Sequence, residues 1–251
     1  MLTLGVDLAS QPSKTAACSI EWDGGRATVR DLLLGLTDDD LLALISRSDK
    51  VGIDSPFGWP AAFVKAVAAH SSSGRWPDEN LLELRYRYTD RVVTEKARRP
   101  LSVSSDLIAV TAMRCARILS ALDERGEPVD RAGSGRVVEV YPAAALAVWG
   151  FEPAGYKRSV GLEKRRVLID ALRHASRGWL SLSEVVVESC VRSDDCLDAL
   201  VASLAARAAA LGLTVPPPEE KWEQARHEGW IHLPLPESFA ALARERVKRR
   251  D

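Results

Sequence analysis

The apolar and polar positions fall into short alternating or continuous runs at the start of the chain. LTLGVDLAS at residues 2–10 is an apolar run closed by Asp7 and a turn of small residues, which predicts a buried strand. KTAACSIEWDGGRATVRDLLLG follows as two β-rich runs around Asp23-Gly24-Gly25, a hairpin signal. The first three strands are therefore expected as an antiparallel meander. Thr37 ahead of Asp38, Asp39 and Asp40 reads as a helix start, a cap followed by acids on the positive end of the macrodipole. That helix is expected to end near Ser48, and KVGIDSP then forms a fourth strand cut off by Pro56.

From there to about residue 135 the pattern is helical and irregular. PAAFVKAVAAH is amphipathic, SSSGRWPDE is a loop, and Ser105 or Asp106 is placed to cap a long helix stopped by Gly126. Residues 136–141 return to strand character, and Pro142 is suited to the first position of a helix. LEKRRVLIDALRHAS is a further helix. Ser193 opens DDCLDALVASLAARAAALG, rich in alanine and leucine and ending at Gly212. TVPPPEE is a stiff linker, GWIHLPL an extended segment, and residues 235–251 a basic helical tail. Three antiparallel strands, a helix, a fourth and a fifth strand and a closing helix follow the element order of the ribonuclease H-like fold. The expectation is one α/β domain over residues 1–251, with a mixed five-stranded sheet flanked by helices and a largely helical insertion at 57–135.

Composition narrows the function classes only slightly. Of 251 residues, 46% are hydrophobic and 27% charged, which is ordinary for a globular protein. The formal net charge of −1 means that any basic surface is local. The apolar stretches are too interrupted by charge to span a bilayer, so no membrane association is expected. The N-terminus lacks the layout of a signal peptide. Cys18, Cys115, Cys190 and Cys196 show no metal-ligand spacing and read as reduced thiols of a cytoplasmic protein.

The acids within the apolar runs carry the candidate chemistry. Asp7 and Asp54 stand at the carboxyl ends of strands one and four, and Glu139 near the end of strand five. Neighbouring parallel strands lie ~5 Å apart, so these ends would meet at one sheet edge, where open α/β sheets bind ligands. Asp194, Asp195 and Asp198 open the closing helix, and Asp198 lies a full turn in among Leu197, Ala199 and Leu200. A carboxylate on an apolar helix face needs a partner or a metal ion. Mg²⁺ or Mn²⁺, which prefer carboxylate oxygen, would resolve such a cluster and serve phosphodiester cleavage. Each acid taken singly also reads as a turn former or a helix cap.

GVDLAS, IDSPFGWP, RYRYTDR, PLSVSSDLIAVTAMR, VVEVYPAAAL, DDCLDALVASLAARAA and EGWIHLP together resemble the domain of unknown function 429 family, over about residues 2–234. That family is described as predicted nucleases with a ribonuclease H fold. The resemblance implies an acidic site at Asp7, Asp54, Glu139 and the Asp195/Asp198 helix. DCLDAL is also similar to the helix of the Holliday-junction resolvases, where an acidic or histidine position precedes Asp-Ala-Leu by three residues; Asp195 and Asp198 stand at those positions.

RYRYTDRVVTEKARR at 85–99 holds six basic residues against two acids, with Arg85 and Arg87 alternating with Tyr86 and Tyr88. Arg85, Arg87 and Arg91 could bind phosphate while the rings stack on bases, or the stretch could be a solvated face with its tyrosines packed inward. Ser104 and Ser105 of SVSSD offer an anion seat at a helix start, and helix capping accounts for them equally well. The expected function is a metal-dependent nuclease or phosphodiesterase acting on nucleic acid or another phosphoester. Asp7, Asp54 and Asp198 would be metal ligands, with Glu139 and Asp195 ligating or orienting water. An ATP-dependent phosphotransferase of the actin and sugar-kinase type shares the core but needs a late glycine-rich segment that is missing after Asp198. A non-catalytic nucleic-acid-binding protein on the same fold is the third reading. Substrate identity and oligomeric state are not legible.

Overall fold

The computed structural model describes residues 1–245 except Pro77, Glu79 and Arg158. The last part of the expected basic tail, from Arg246 on, lies outside the described residues. Strands β1 (Leu2–Asp7), β2 (Ala16–Asp23) and β3 (Arg26–Leu34) form the antiparallel meander, turning at Gly24 and Gly25, both with positive φ. Helix α1 (Asp38–Ser46) starts on the expected cap: Thr37 and Asp40 form a reciprocal capping box. β4 (Lys50–Asp54) then pairs parallel with β1.

Between β4 and the next strand lie α2 (Ala61–Ser73), α3 (Leu81–Arg85), α4 (Tyr88–Lys96) and α5 (Ile108–Glu124). β5 (Val137–Glu139) pairs parallel with β4, and Pro142 opens α6 (Pro142–Val148). α7 (Leu162–Ala175) leads to β6 (Leu180–Ser181), α8 (Glu184–Arg192), α9 (Asp194–Ala210) and α10 (Trp222–Glu228).

The sheet is mixed, in the order β5-β4-β1-β2-β3-β6, with helices on both faces. It has six strands where five were expected. β6 is two residues long and pairs parallel with β3 through Ala27↔Leu180 and Thr28↔Ser181. So short a run carries no periodicity from which to predict it. Among the described residues no helix is long and apolar enough to cross a membrane.

Alternation along the strands sorts the two faces. Leu4, Val6, Val51, Ile53 and Val137 pack with Leu41, Ile45, Cys115 and Ile118 of α1 and α5. The opposite parity, Ala16, Cys18, Ile20, Val138 and Val140, packs with α7, α8 and α9. On that second face Gly5 and Gly52 are register partners in neighbouring strands. A Cβ on Gly5 would lie 2.1 Å from the Ser203 nitrogen and 2.2 Å from the Ala199 carbonyl oxygen, and one on Gly52 would lie 2.8 Å from the Ala202 carbonyl oxygen. The paired glycines thus form a notch that lets the backbone of α9 lie directly on the sheet. A buried polar chain fixes the depth. The Trp22 indole donates to Thr3 Oγ1 at 2.9 Å, and Thr3 Oγ1 meets Ser203 Oγ at 2.8 Å.

Candidate active site

Thr3, Gly5 and Asp7 share one face of β1; Gly52 and Asp54 share the same face of β4, and Asp7 and Asp54 are directly opposite in register. α9 runs over that face from Ser203 above Thr3 back toward its own N-terminus at the strand ends. Asp198, one turn in from the Ser193 cap, therefore arrives beside the two strand-end acids. One carboxylate oxygen from each of Asp7, Asp54 and Asp198 lies within 4.8 Å of the others. The first turn of α9 points at the same place, and its macrodipole favours negative charge there.

The cluster is strained electrostatically. Burial pushes the Asp7 carboxyl well above its usual range; Lys157 opposes this, and Asp54, Asp195 and Asp194 add to it. Burial likewise pushes Asp54 up to about 7, against Lys157 and with Glu139 adding. Asp198 has no exposed surface. Tyr156 donates its hydroxyl to Asp198 Oδ1 at 2.6 Å, and the Lys157 ammonium pairs with Asp198 Oδ2. The Tyr156 backbone is in turn held by Arg165, whose Nη1 donates to the Tyr156 carbonyl at 2.7 Å. Lys157, half exposed, is the cation that faces all three acids. Its loop lies far from every strand end in sequence and carries no motif, so neither Tyr156 nor Lys157 was foreseen.

Glu139 is not brought into this cluster. It has the parity of Val137, so it leaves the sheet on the α5 face, opposite to Asp198. Its Oε1 accepts from Arg87 Nη2 at 2.7 Å, and its Oε2 accepts from Arg87 Nη1 at 2.9 Å and from the Phe57 backbone nitrogen at 2.9 Å. Both oxygens are thus engaged by protein donors, unlike those expected of a metal ligand. Arg87, expected on the surface against phosphate, is 1% exposed. It is the counterion of Glu139 and of Asp90, whose Oδ1 lies 2.8 Å from Nη2. Burial works against the Arg87 charge, but the two carboxylates outweigh it and hold the guanidinium charged. The parity of Glu139 against Val138 and Val140, both wanted in the core, was the available signal.

The remaining expected residues are dispersed. Asp195 is half-buried beside Asp7, where burial and Asp194 raise its carboxyl pKa, while Asp194 reaches the cavity wall. Arg85 lies over the Tyr86 ring at 5.2 Å from its centroid, and Arg91 over Tyr88 at 5.4 Å, with Glu83 3.4 Å away. The Ser104 hydroxyl donates to the Leu84 carbonyl in α3 at 2.8 Å and the Ser105 nitrogen to Ser102 Oγ at 3.2 Å, so both groups of the expected anion seat are engaged by the protein itself. Nor does Ser105 or Asp106 cap α5, whose first turn has no side-chain cap.

Asp7 and Asp54 open into a cavity of about 570 Å³. Its lining includes Lys157, Tyr156 and Tyr141, together with Arg98, Arg99, Pro100, Leu101 and Ile108 from the segment between α4 and α5 and the start of α5. The Arg98 charge is felt by both tyrosine hydroxyls, although burial dominates and pushes Tyr141 up to about 12. Asp7 and Asp54 thus share the cavity with Lys157 and Arg98, a lining that can take a divalent cation beside an anion.

Neither a curated protein nor a solved structure matches the chain. A family model does, over residues 5–221, a span that contains every one of the three clustered acids. The chain belongs to that family, described as protein of unknown function (DUF429).

Proposed function

We propose that the chain is a divalent-metal-dependent phosphodiesterase of the nuclease type on a ribonuclease H-like sheet. The observation that carries this reading is the approach of Asp7, Asp54 and Asp198 oxygens to within 4.8 Å of one another. The order of the five longer strands, 5-4-1-2-3, supports the fold part of the reading. An all-oxygen set of three carboxylates suits Mg²⁺ or Mn²⁺, which take carboxylates and keep waters in their remaining positions. Asp7, Asp54 and Asp198 would hold the ion, which would supply charge neutralisation at the phosphate and a more acidic water.

The chain's own groups divide the remaining work. Lys157 and Arg98, which both line the cavity, would take phosphate oxygens. Tyr156 keeps Asp198 oriented through its 2.6 Å hydrogen bond. Glu139 and Arg87 hold the Phe57 backbone, and with it the turn that follows Asp54. Hydrolysis adds water across the ester: an oxygen–phosphorus bond forms, the bond to the departing alcohol breaks, and that alcohol leaves protonated. Purified protein is expected to hydrolyse bis(p-nitrophenyl) phosphate or an oligonucleotide with Mn²⁺ or Mg²⁺ and to stop when the ion is chelated. Asp7→Asn, folded by circular dichroism, should reduce the rate to background; cleavage at full rate by that variant would refute the site.

A further inference from the structure

We propose that the cavity takes a nucleotide whose base is unpaired, either a free nucleotide or an unstacked residue of a single strand, and not the side of an intact duplex. This rests on the phosphodiesterase reading and names its substrate class. The acids are recessed. Asp198 is fully buried and Asp7 and Asp54 are half-buried, so a phosphate reaches them only through the cavity. Its volume of about 570 Å³ falls within the ~300–1,000 Å³ of small-molecule sites. A reacting phosphate must come within about 2 Å of a carboxylate-held ion. Arg98, Arg99, Pro100 and Leu101 line the same cavity as the strand-end acids, and a substrate entering it must fit between them, which the rigid flanks of a duplex do less readily than an unpaired nucleotide.

The lining is divided by chemistry. Arg98 and Arg99 are exposed, and neither has an ion pair among the described residues. With Lys157 they give the cavity three cationic side chains suited to phosphate. Beside them Pro100, Leu101 and Ile108 form an apolar wall, with Leu101 61% exposed. Packing within the fold does not cover that leucine, and a flat apolar face laid on it would. In a duplex the base faces are stacked and hidden; in an unpaired nucleotide they are free to bury against aromatic or apolar side chains. A phosphate on the cations and an apolar disc on the wall beside them describe a nucleotide.

The test is a titration of the full chain, loaded with Mn²⁺, with adenosine monophosphate carrying a fluorescent label on its ribose. A single-stranded oligonucleotide and a dumbbell duplex closed at both ends serve as competitors. The labelled nucleotide should bind, and the single strand should displace it at least about tenfold better than the dumbbell. Arg98→Ala combined with Arg99→Ala, and separately Leu101→Asp, should each weaken the nucleotide about tenfold or more while Mn²⁺ affinity by electron paramagnetic resonance stays unchanged. No nucleotide binding, equal competition by the dumbbell, or unaltered nucleotide affinity in both variants would overturn the proposal. Failure of Mn²⁺ itself to bind would instead strike the phosphodiesterase reading. The same nucleotide titration without metal, on wild type and the two variants, would then decide the cavity alone.

Discussion

Asp54 and Glu139 show how one step in strand register separates two carboxylates at the same sheet edge. Asp54 leaves β4 on the α9 face and joins Asp7 and Asp198; Glu139, paired in register with Ile53, leaves on the other face and meets Arg87. Their titration behaviour makes the first difference measurable. Burial raises the Asp54 carboxyl from the ordinary 3.8 to about 7, with Lys157 opposing and Glu139 adding. A carboxyl that holds its proton more tightly in the folded chain favours folding while protonated, and this contribution is lost as pH rises from about 4 to about 7. Asp54→Asn is neutral at every pH. In chelator it should match wild type near pH 4 and exceed it above pH 7 by on the order of 1–3 kcal/mol, as read from urea midpoints. Added Mn²⁺ should reverse the order by stabilising the wild type alone. For the second carboxylate, Arg87→Ala leaves Glu139 and Asp90 buried without their cation and should cost about 3–5 kcal/mol by the same measurement. A surface phosphate-binding arginine would cost almost nothing. Asp7, Asp54 and Asp198 were legible because acids at apolar strand ends and on an apolar helix face stand out. Lys157 was not, because nothing local marks a lysine whose partner is brought to it by the fold.

Among the elements, α9 is the one on which the site depends. Its alanine-rich face could be read as a buried helix, but its depth on the sheet comes from Gly5 and Gly52 meeting in register, a relation between two segments some fifty residues apart. The meander, α1 with its capping box, β4, β5, α6, α7 and α9 were all visible from periodicity and caps. α8 was not, since Val185, Val186 and Val187 give it a β-like composition and its helical state is set by packing on α7 and α9. β6 and the uncapped start of α5 likewise depend on contacts distant in sequence. Gly5→Ala tests the notch. Its methyl group would overlap the Ser203 nitrogen, so α9 must lift. The variant is expected to lose about 1–3 kcal/mol and most of its Mn²⁺ affinity, because Asp198 moves with the helix. Gly135→Ala, which meets open space, should alter neither. Urea unfolding and electron paramagnetic resonance on both variants check this.

At the scale of the whole molecule, the sheet edge supplies the acids, the helical segment between β4 and β5 supplies cations and an apolar wall, and the C-terminal segment ties down the starts of α2 and α4. Glu228 makes both ties: one carboxylate oxygen accepts from the Ala61 nitrogen at the start of α2 and the other from the Tyr88 nitrogen at the start of α4, both at 2.8 Å. The Ile231 nitrogen also donates to Thr89 Oγ1 at 2.9 Å. With a net charge of −1, the attraction for the proposed phosphoester must come from a local arrangement of cations. The phosphodiesterase reading turns on whether the three carboxylates hold a divalent ion. The direct measurement is anomalous diffraction from crystals soaked in Mn²⁺. A peak is expected about 2.1 Å from oxygens of Asp7, Asp54 and Asp198, with the Lys157 ammonium displaced from Asp198. Absence of a peak there, with Lys157 still paired to Asp198, would contradict it.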